Sequence, residues 1–262
     1  MTLIILEGTD YAGKSTLAQR LISTWQDRST SDCHMTAELL HVGPPSKKSD
    51  DMSLATWAAV QTSELTRLIE KHDPKNARHL VVFDRFHWGM PIYGPIYRPD
   101  SNQDNYGDLG YHNFMWVESQ LAMHGALTVH VMTSIEEMLK RAKSRGDDEY
   151  LTENSDLAQE LQLRLLWTRY VQFAANVGLF MPTFRKHPYL TGDWSLADQS
   201  DGIKELRSHD SLWPFQDFDE FYLYRARKAG KGNVSELLDE AVINLKSRPH
   251  NHVEYRFEKV DK

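Results

Sequence analysis

Gly8-Thr9-Asp10-Tyr11-Ala12-Gly13-Lys14-Ser15-Thr16 decides how this chain folds. The apolar run Leu3-Ile4-Ile5-Leu6 precedes it and reads as a buried strand. Leu17-Ala18-Gln19-Arg20-Leu21-Ile22 follows it and reads as a helix. Strand, glycine loop ending in Gly-Lys-Ser, then helix is the context that gives a P-loop pattern physical content. Gly8 and Gly13 let the backbone wrap around a polyphosphate, while the loop amides and the helix start face its oxygens. Lys14 adds a mobile positive charge near the β- and γ-phosphates, and the Ser15 hydroxyl is placed to ligate Mg²⁺.

Outward from the loop, strands and helices alternate. Residues 35–42 read as a second strand ending at Gly43-Pro44-Pro45, and residues 53–71 carry apolar side chains at helical spacing. Leu80-Val81-Val82-Phe83 is wholly apolar, as a parallel strand covered on both faces should be, and ends on Asp84-Arg85. Residues 91–111 form a long loop rich in Pro, Gly, Asn, Asp and Tyr, and loops of that length are usually functional. Helices are expected at 112–123, 134–144 and 156–177, and strands at 126–132 and within 189–191.

This alternation predicts an α/β fold, a mostly parallel five-stranded sheet flanked by helices. Its ligands gather at the carboxyl ends of the strands. Residues 1–208 are expected to form the nucleotide-binding domain, and 209–262 a helical and irregular extension, with a hinge at 228–233 and a helix at 234–246. The P-loop, residues 41–45, Asp84-Arg85 and the long loop all fall at strand ends, which points to a single active site.

Composition narrows the class. A formal charge of −7 opposes a general polyanion-binding surface, so a DNA partner would need a local basic patch. Arg225, Arg227, Lys228 and Lys231 are the candidates for one. The single Cys33 rules out an intramolecular disulfide and fits a reducing compartment. No run approaches a membrane span and the first strand begins at once, so a cytoplasmic protein is expected. The twelve histidines display no ligand spacing.

Two further clusters bear chemistry. Asp84 at a strand end beside a P-loop can hold Mg²⁺ or orient a nucleophile, and the planar fork of Arg85 can brace a phosphate. Arg141 and Arg145 are four residues apart and share a helical face before Gly146-Asp147-Asp148, suggesting a lid over about 141–152 that closes on a phosphoryl donor.

Together the P-loop with Glu7 before it, Asp84-Arg85-Phe86 and the arginine lid resemble the thymidylate kinase family, especially its divergent phage-encoded members, over about residues 1–195. The resemblance implies transfer of the ATP γ-phosphate to a deoxynucleoside monophosphate. It implies ATP and Mg²⁺ on Gly8, Ala12, Gly13, Lys14, Ser15 and Thr16, with Asp84 near the metal. Asp10 would contact the acceptor sugar, Arg85 the acceptor phosphate, and Arg141 and Arg145 would cap the transferring group. Tyr11 departs from the arginine or glycine common at its position; it brings no charge and narrows the sugar site. The family's thymine-reading residues are not evident in 53–71, where Trp57 and Gln61 are the base-contact candidates.

His41 is either an acceptor contact or turn packing, and Tyr93, Tyr97, Tyr106 and Tyr111 either line an acceptor pocket or pin the long loop. The alternative activity is phosphorylation of a hydroxyl, on a deoxynucleoside or on a modified base in DNA, with Asp84 or Asp10 as general base. The helices at 112–123 and 156–177 either pair subunits in a homodimer or are buried within one subunit.

Overall fold

The computed structural model describes residues 1–42, 54–72, 76–89, 91–93, 111–145, 156–176, 181–185, 187–191 and 232–247. Five strands, β1 (Thr2–Glu7), β2 (Thr36–Leu40), β3 (His79–Asp84), β4 (Leu127–Met132) and β5 (Tyr189–Leu190), form one sheet in the order β2-β3-β1-β4-β5. Every neighbouring pair is parallel. All residues of β1, β3 and β4 are buried, because helices cover both faces. The α/β P-loop fold expected from the sequence is the one formed.

Among the described residues six helices flank it: α1 (Lys14–Gln26), α2 (Leu54–Lys71), α3 (Tyr111–Met123), α4 (Ile135–Arg145), α5 (Asp156–Asn176) and α6 (Val234–Lys246). Side chains of β1 alternate between two cores. Ile4 and Leu6 pack with Leu17, Leu21 and Trp25 of α1, while Leu3 and Ile5 pack with Leu65 and Leu68 of α2 and with Val117 and Leu121 of α3. A third core, under α4 and α5, reaches the P-loop at Tyr11.

The last helix packs on the sheet. Leu237, Leu238 and Ala241 of α6 are fully buried in the same cluster as α1 and β1, so this part of the expected extension completes the sheet's cover. Each such leucine contributes roughly 1.5–3 kcal/mol of burial. Asn233 caps the helix, its side chain accepting from Ser235 N at 2.9 Å. No helix among the described residues is long and apolar enough to cross a membrane.

Candidate active site

Register brings the chemistry together. Leu6 of β1 lies beside Asp84 of β3, and Glu7 lies beside His130 of β4, so β1 and β3 end side by side on carboxylates with an imidazole two residues short of the end of β4. Gly8 then turns the chain at φ 151°, with its α-carbon so near β4 that a Cβ would sit 2.3 Å from the Val131 carbonyl oxygen. Only glycine passes there.

Lys14 opens α1 and is buried. Its Nζ donates to the Thr9 carbonyl at 2.6 Å, folding the ammonium back across the loop. Burial, then the nearby Arg85 guanidinium, lowers its pKa to about 8. The first turn of α1 has neither a side-chain cap nor an acidic residue, which leaves its amides for an anion. Next along, the Ser15 hydroxyl donates to Asp84 Oδ2 at 2.7 Å. Asp84 Oδ1 is buried with no hydrogen-bond partner, an orphaned acceptor beside a hydroxyl. Two oxygen donors of this kind suit a hard cation, so the residues present fit Mg²⁺.

Next to Asp84, Arg85 follows β3 at φ 65°. A non-glycine residue there carries strain, and such strain gathers at functional sites. The backbone around it is held firmly. Arg85 N donates to Leu6 O at 2.9 Å, and Glu7 Oε1 accepts from Phe86 N at 2.9 Å and Trp88 N at 3.0 Å. Burial pushes the Glu7 carboxyl above its ordinary range, against the pull of His87, these two amides and Arg85. The Arg85 guanidinium pairs with Asp10 and lies 5.0 Å from the Tyr93 ring centroid. Behind this turn, His87 meets Glu118 at 2.7 Å, and Glu118 accepts from the Thr183 amide and hydroxyl at 3.1 and 2.6 Å. Although burial opposes it, these bonds hold Glu118 below the usual carboxylate range. Burial and then Lys14 push His130 down to about 3, so it is neutral.

A cavity of about 590 Å³ lies on the Tyr11 and Gly13 side of the loop, bordered by Thr16, Arg20, Arg141 and Thr191. That volume accommodates a small organic ligand. Arg141 Nη1 donates to the Tyr11 carbonyl at 3.0 Å and to Thr191 Oγ1 at 3.3 Å, while its Nε donates to Glu137 at 2.9 Å. Thr191 in turn donates to the Ala12 carbonyl at 2.5 Å. The P-loop, α4 and the end of β5 are thus tied into one wall. Arg145 lies 5.8 Å from the Tyr11 ring centroid. Tyr11 itself is buried at φ 62° in the core under α4 and α5.

Gly232 closes the cavity from the α6 side; a Cβ there would come within 2.2 Å of the Tyr189 ring. Gly232→Ala should therefore displace Tyr189, lower stability by about 1–3 kcal/mol and weaken nucleotide binding several-fold. Calorimetric titration with ATP alongside denaturant unfolding checks both. Unchanged binding would mean that this wall does not touch the ligand.

Other expected residues are placed differently. Gln61, a base-contact candidate, is fully buried, and its amide donates to the Phe86 carbonyl at 2.6 Å, so it props the turn after Asp84. His41 is exposed just beyond β2. The Trp57 side chain, Tyr97, Tyr106, the Tyr111 side chain and lid residues 146–152 lie outside the described residues, as do Arg225, Arg227, Lys228 and Lys231. Glu7, Arg20 and Thr191 were not marked as site residues by sequence. Glu7 alone carried a signal, a carboxylate ending an apolar strand.

No protein-family model and no curated protein matches the chain. Among solved structures it is similar to the YorR protein from Bacillus subtilis, in complex with phosphorylated GDP. That match has 20% identity and a TM-score of 0.48, covering 80% of this chain and 99% of that one. Deoxyadenosine kinase from M. mycoides with bound dATP matches at 17% identity and a TM-score of 0.40, covering 79% of this chain and 100% of the other.

Proposed function

We propose that this protein is an ATP-dependent kinase that transfers the γ-phosphoryl group to a deoxynucleoside monophosphate. The observation that carries this reading is the convergence of Lys14, Ser15 and Asp84 with the Arg85–Asp10 pair around one loop. ATP would lie over the α1 amino terminus with its base towards the cavity, and Lys14 would exchange the Thr9 carbonyl for phosphate oxygens. Ser15 and Asp84 Oδ1 would hold Mg²⁺, which neutralises charge on the β- and γ-oxygens. On the opposite side, Arg85 would hold the acceptor phosphate and Asp10 the acceptor sugar.

An acceptor phosphate oxygen attacks the γ-phosphorus and the bond to the bridging oxygen breaks, releasing ADP. The attacking oxygen is already ionised, so positioning and charge suffice without a general base. A guanidinium in the acceptor half suits a monophosphate better than a hydroxyl. The second reading, transfer to a hydroxyl, rests on Asp10, a carboxylate in that same half and the available base.

ADP release measured by a coupled assay with Mg²⁺-ATP separates the two. Stimulation by deoxynucleoside monophosphates is expected, and the thymidylate kinase resemblance makes dTMP the first to test. Stimulation only by deoxynucleosides or oligonucleotides would replace this reading with the second.

A further inference from the structure

A second polar cluster lies at the other end of the sheet. His79 begins β3 and Asp84 ends it, five residue steps or about 16 Å away. Thr36 and Glu38 share one face of β2, His79 lies across from Thr36 in register, and His72 immediately follows α2. Glu38, His72 and His79 consequently converge, with their ligand atoms all within 4.8 Å of one another.

The details resemble a coordination shell more than an ordinary ion pair. Glu38 Oε1 is 3.0 Å from His72 Nε2 and 3.8 Å from His79 Nε2. Tetrahedral zinc with bonds of 2.0–2.1 Å sets its ligand atoms about 3.3 Å apart, between these two values. His79 Nε2 is buried and makes no hydrogen bond, although it is turned towards the carboxylate. Its Nδ1 lies 2.7 Å from Thr36 Oγ1, the outer contact that fixes a liganding imidazole's tautomer and ring plane. The two imidazoles stack with centroids 3.9 Å apart and 18° between their planes, so a ring must tilt for both Nε2 lone pairs to meet on one ion. Lys71 donates to Glu38 Oε2 at 2.8 Å, which anchors the other carboxylate oxygen and leaves Oε1 to face the histidines.

We propose that Glu38 Oε1, His72 Nε2 and His79 Nε2 bind a divalent transition metal of the zinc class, with water completing the shell. Two imidazoles and one carboxylate favour such a metal over Mg²⁺ or Ca²⁺, which take oxygen ligands. The ion would pin the exit of α2 to β2 and β3, and α2 carries Gln61 beneath the Asp84–Arg85 turn. It is independent of the phosphoryl-transfer reading.

The test uses the full chain, stripped of metal and held in excess Mg²⁺, titrated with ZnCl₂ against a chromogenic chelator and with CoCl₂ by visible absorption. One equivalent of Zn²⁺ per chain and a tetrahedral Co²⁺ spectrum are expected. Zinc at 100 times its Kd should raise the folding equilibrium constant about 100-fold. His72→Gln keeps an N–H for Glu38 but removes the ligand nitrogen; it and Glu38→Gln should weaken zinc binding by about 100-fold or more. His250→Ala with His252→Ala, in the tail, should leave it unchanged. Zinc binding that survives both site variants overturns the proposal. So does a parent chain that cannot compete with the chelator, which would leave a plain His72–Glu38–Lys71 ion network.

Discussion

Lys14→Met is expected to lower turnover by about 10²–10³ while leaving the chain at least as stable as the parent. The two effects have one cause. Lys14 is buried at the mouth of the P-loop, where a charge is useful to a polyphosphate and unfavourable to the folded protein alone. Burial and Arg85 bring its pKa from an ordinary 10.5 down to about 8. At neutral pH both folded and unfolded chains carry the proton, and the folded chain bears the full desolvation penalty. Between about pH 8 and 10.5 the folded chain releases the proton while the unfolded chain keeps it, so stability rises with pH across that window.

Methionine removes the charge and preserves the aliphatic stem. The difference in unfolding free energy between parent and Lys14→Met should favour the variant most at pH 7 and shrink towards pH 10. Activity runs the other way, with kcat/KM for ATP in the parent falling above about pH 8 as the ammonium discharges. Denaturant unfolding at both pH values and a pH–rate profile check the pair. A variant clearly less stable at pH 7 would mean that the 2.6 Å bond to the Thr9 carbonyl outweighs desolvation.

Much of the fold was legible because β1, β3 and β4 are short apolar runs bounded by turn residues, the mark of strands buried on both faces. The Gly-Lys-Ser loop then set the order of strand, loop and helix. Side-chain direction was not legible to the same degree. Gln61 and a base contact are equally compatible with a helical stripe; only packing decides that its amide meets Phe86 O. Thr191 gave no local signal, because its partners, the Ala12 carbonyl and Arg141, come from distant parts of the chain. The same holds for Glu38, His72 and His79, which no spacing rule groups and which three separate elements assemble. The helix at 234–246 was legible in the tail, but its partner was not: only packing puts the leucines of α6 in the core with α1.

Glu7 marks where local chemistry and global fold meet. A carboxylate inside a buried strand looks unfavourable until the turn after β3 is in place, when its Oε1 gathers the Phe86 and Trp88 amides. Those bonds hold Arg85 at its positive φ and keep its guanidinium on Asp10. Arrangement of the Arg85–Asp10 pair is therefore set from the strand beneath it.

Asp84→Asn should lower turnover roughly 10³-fold, because several kcal/mol of transition-state charge stabilisation depends on the metal that Asp84 would hold. The substitution keeps shape, and the Ser15 hydroxyl can still donate to an amide oxygen as it does to Oδ2. What it cannot keep is the second oxygen. An NH₂ group would then stand where the buried, partnerless Oδ1 now does, and would present hydrogens to a cation. Raising Mg²⁺ should recover part of the loss, since the defect lies in metal affinity. A second readout separates this from simple misfolding. Asp84 is among the charges that raise the Lys14 pKa against burial, so its removal should lower that pKa further and move the alkaline fall in kcat/KM to lower pH. Parental turnover at unchanged Mg²⁺ would remove Asp84 from the metal site, and an unshifted pH profile would separate it electrostatically from Lys14.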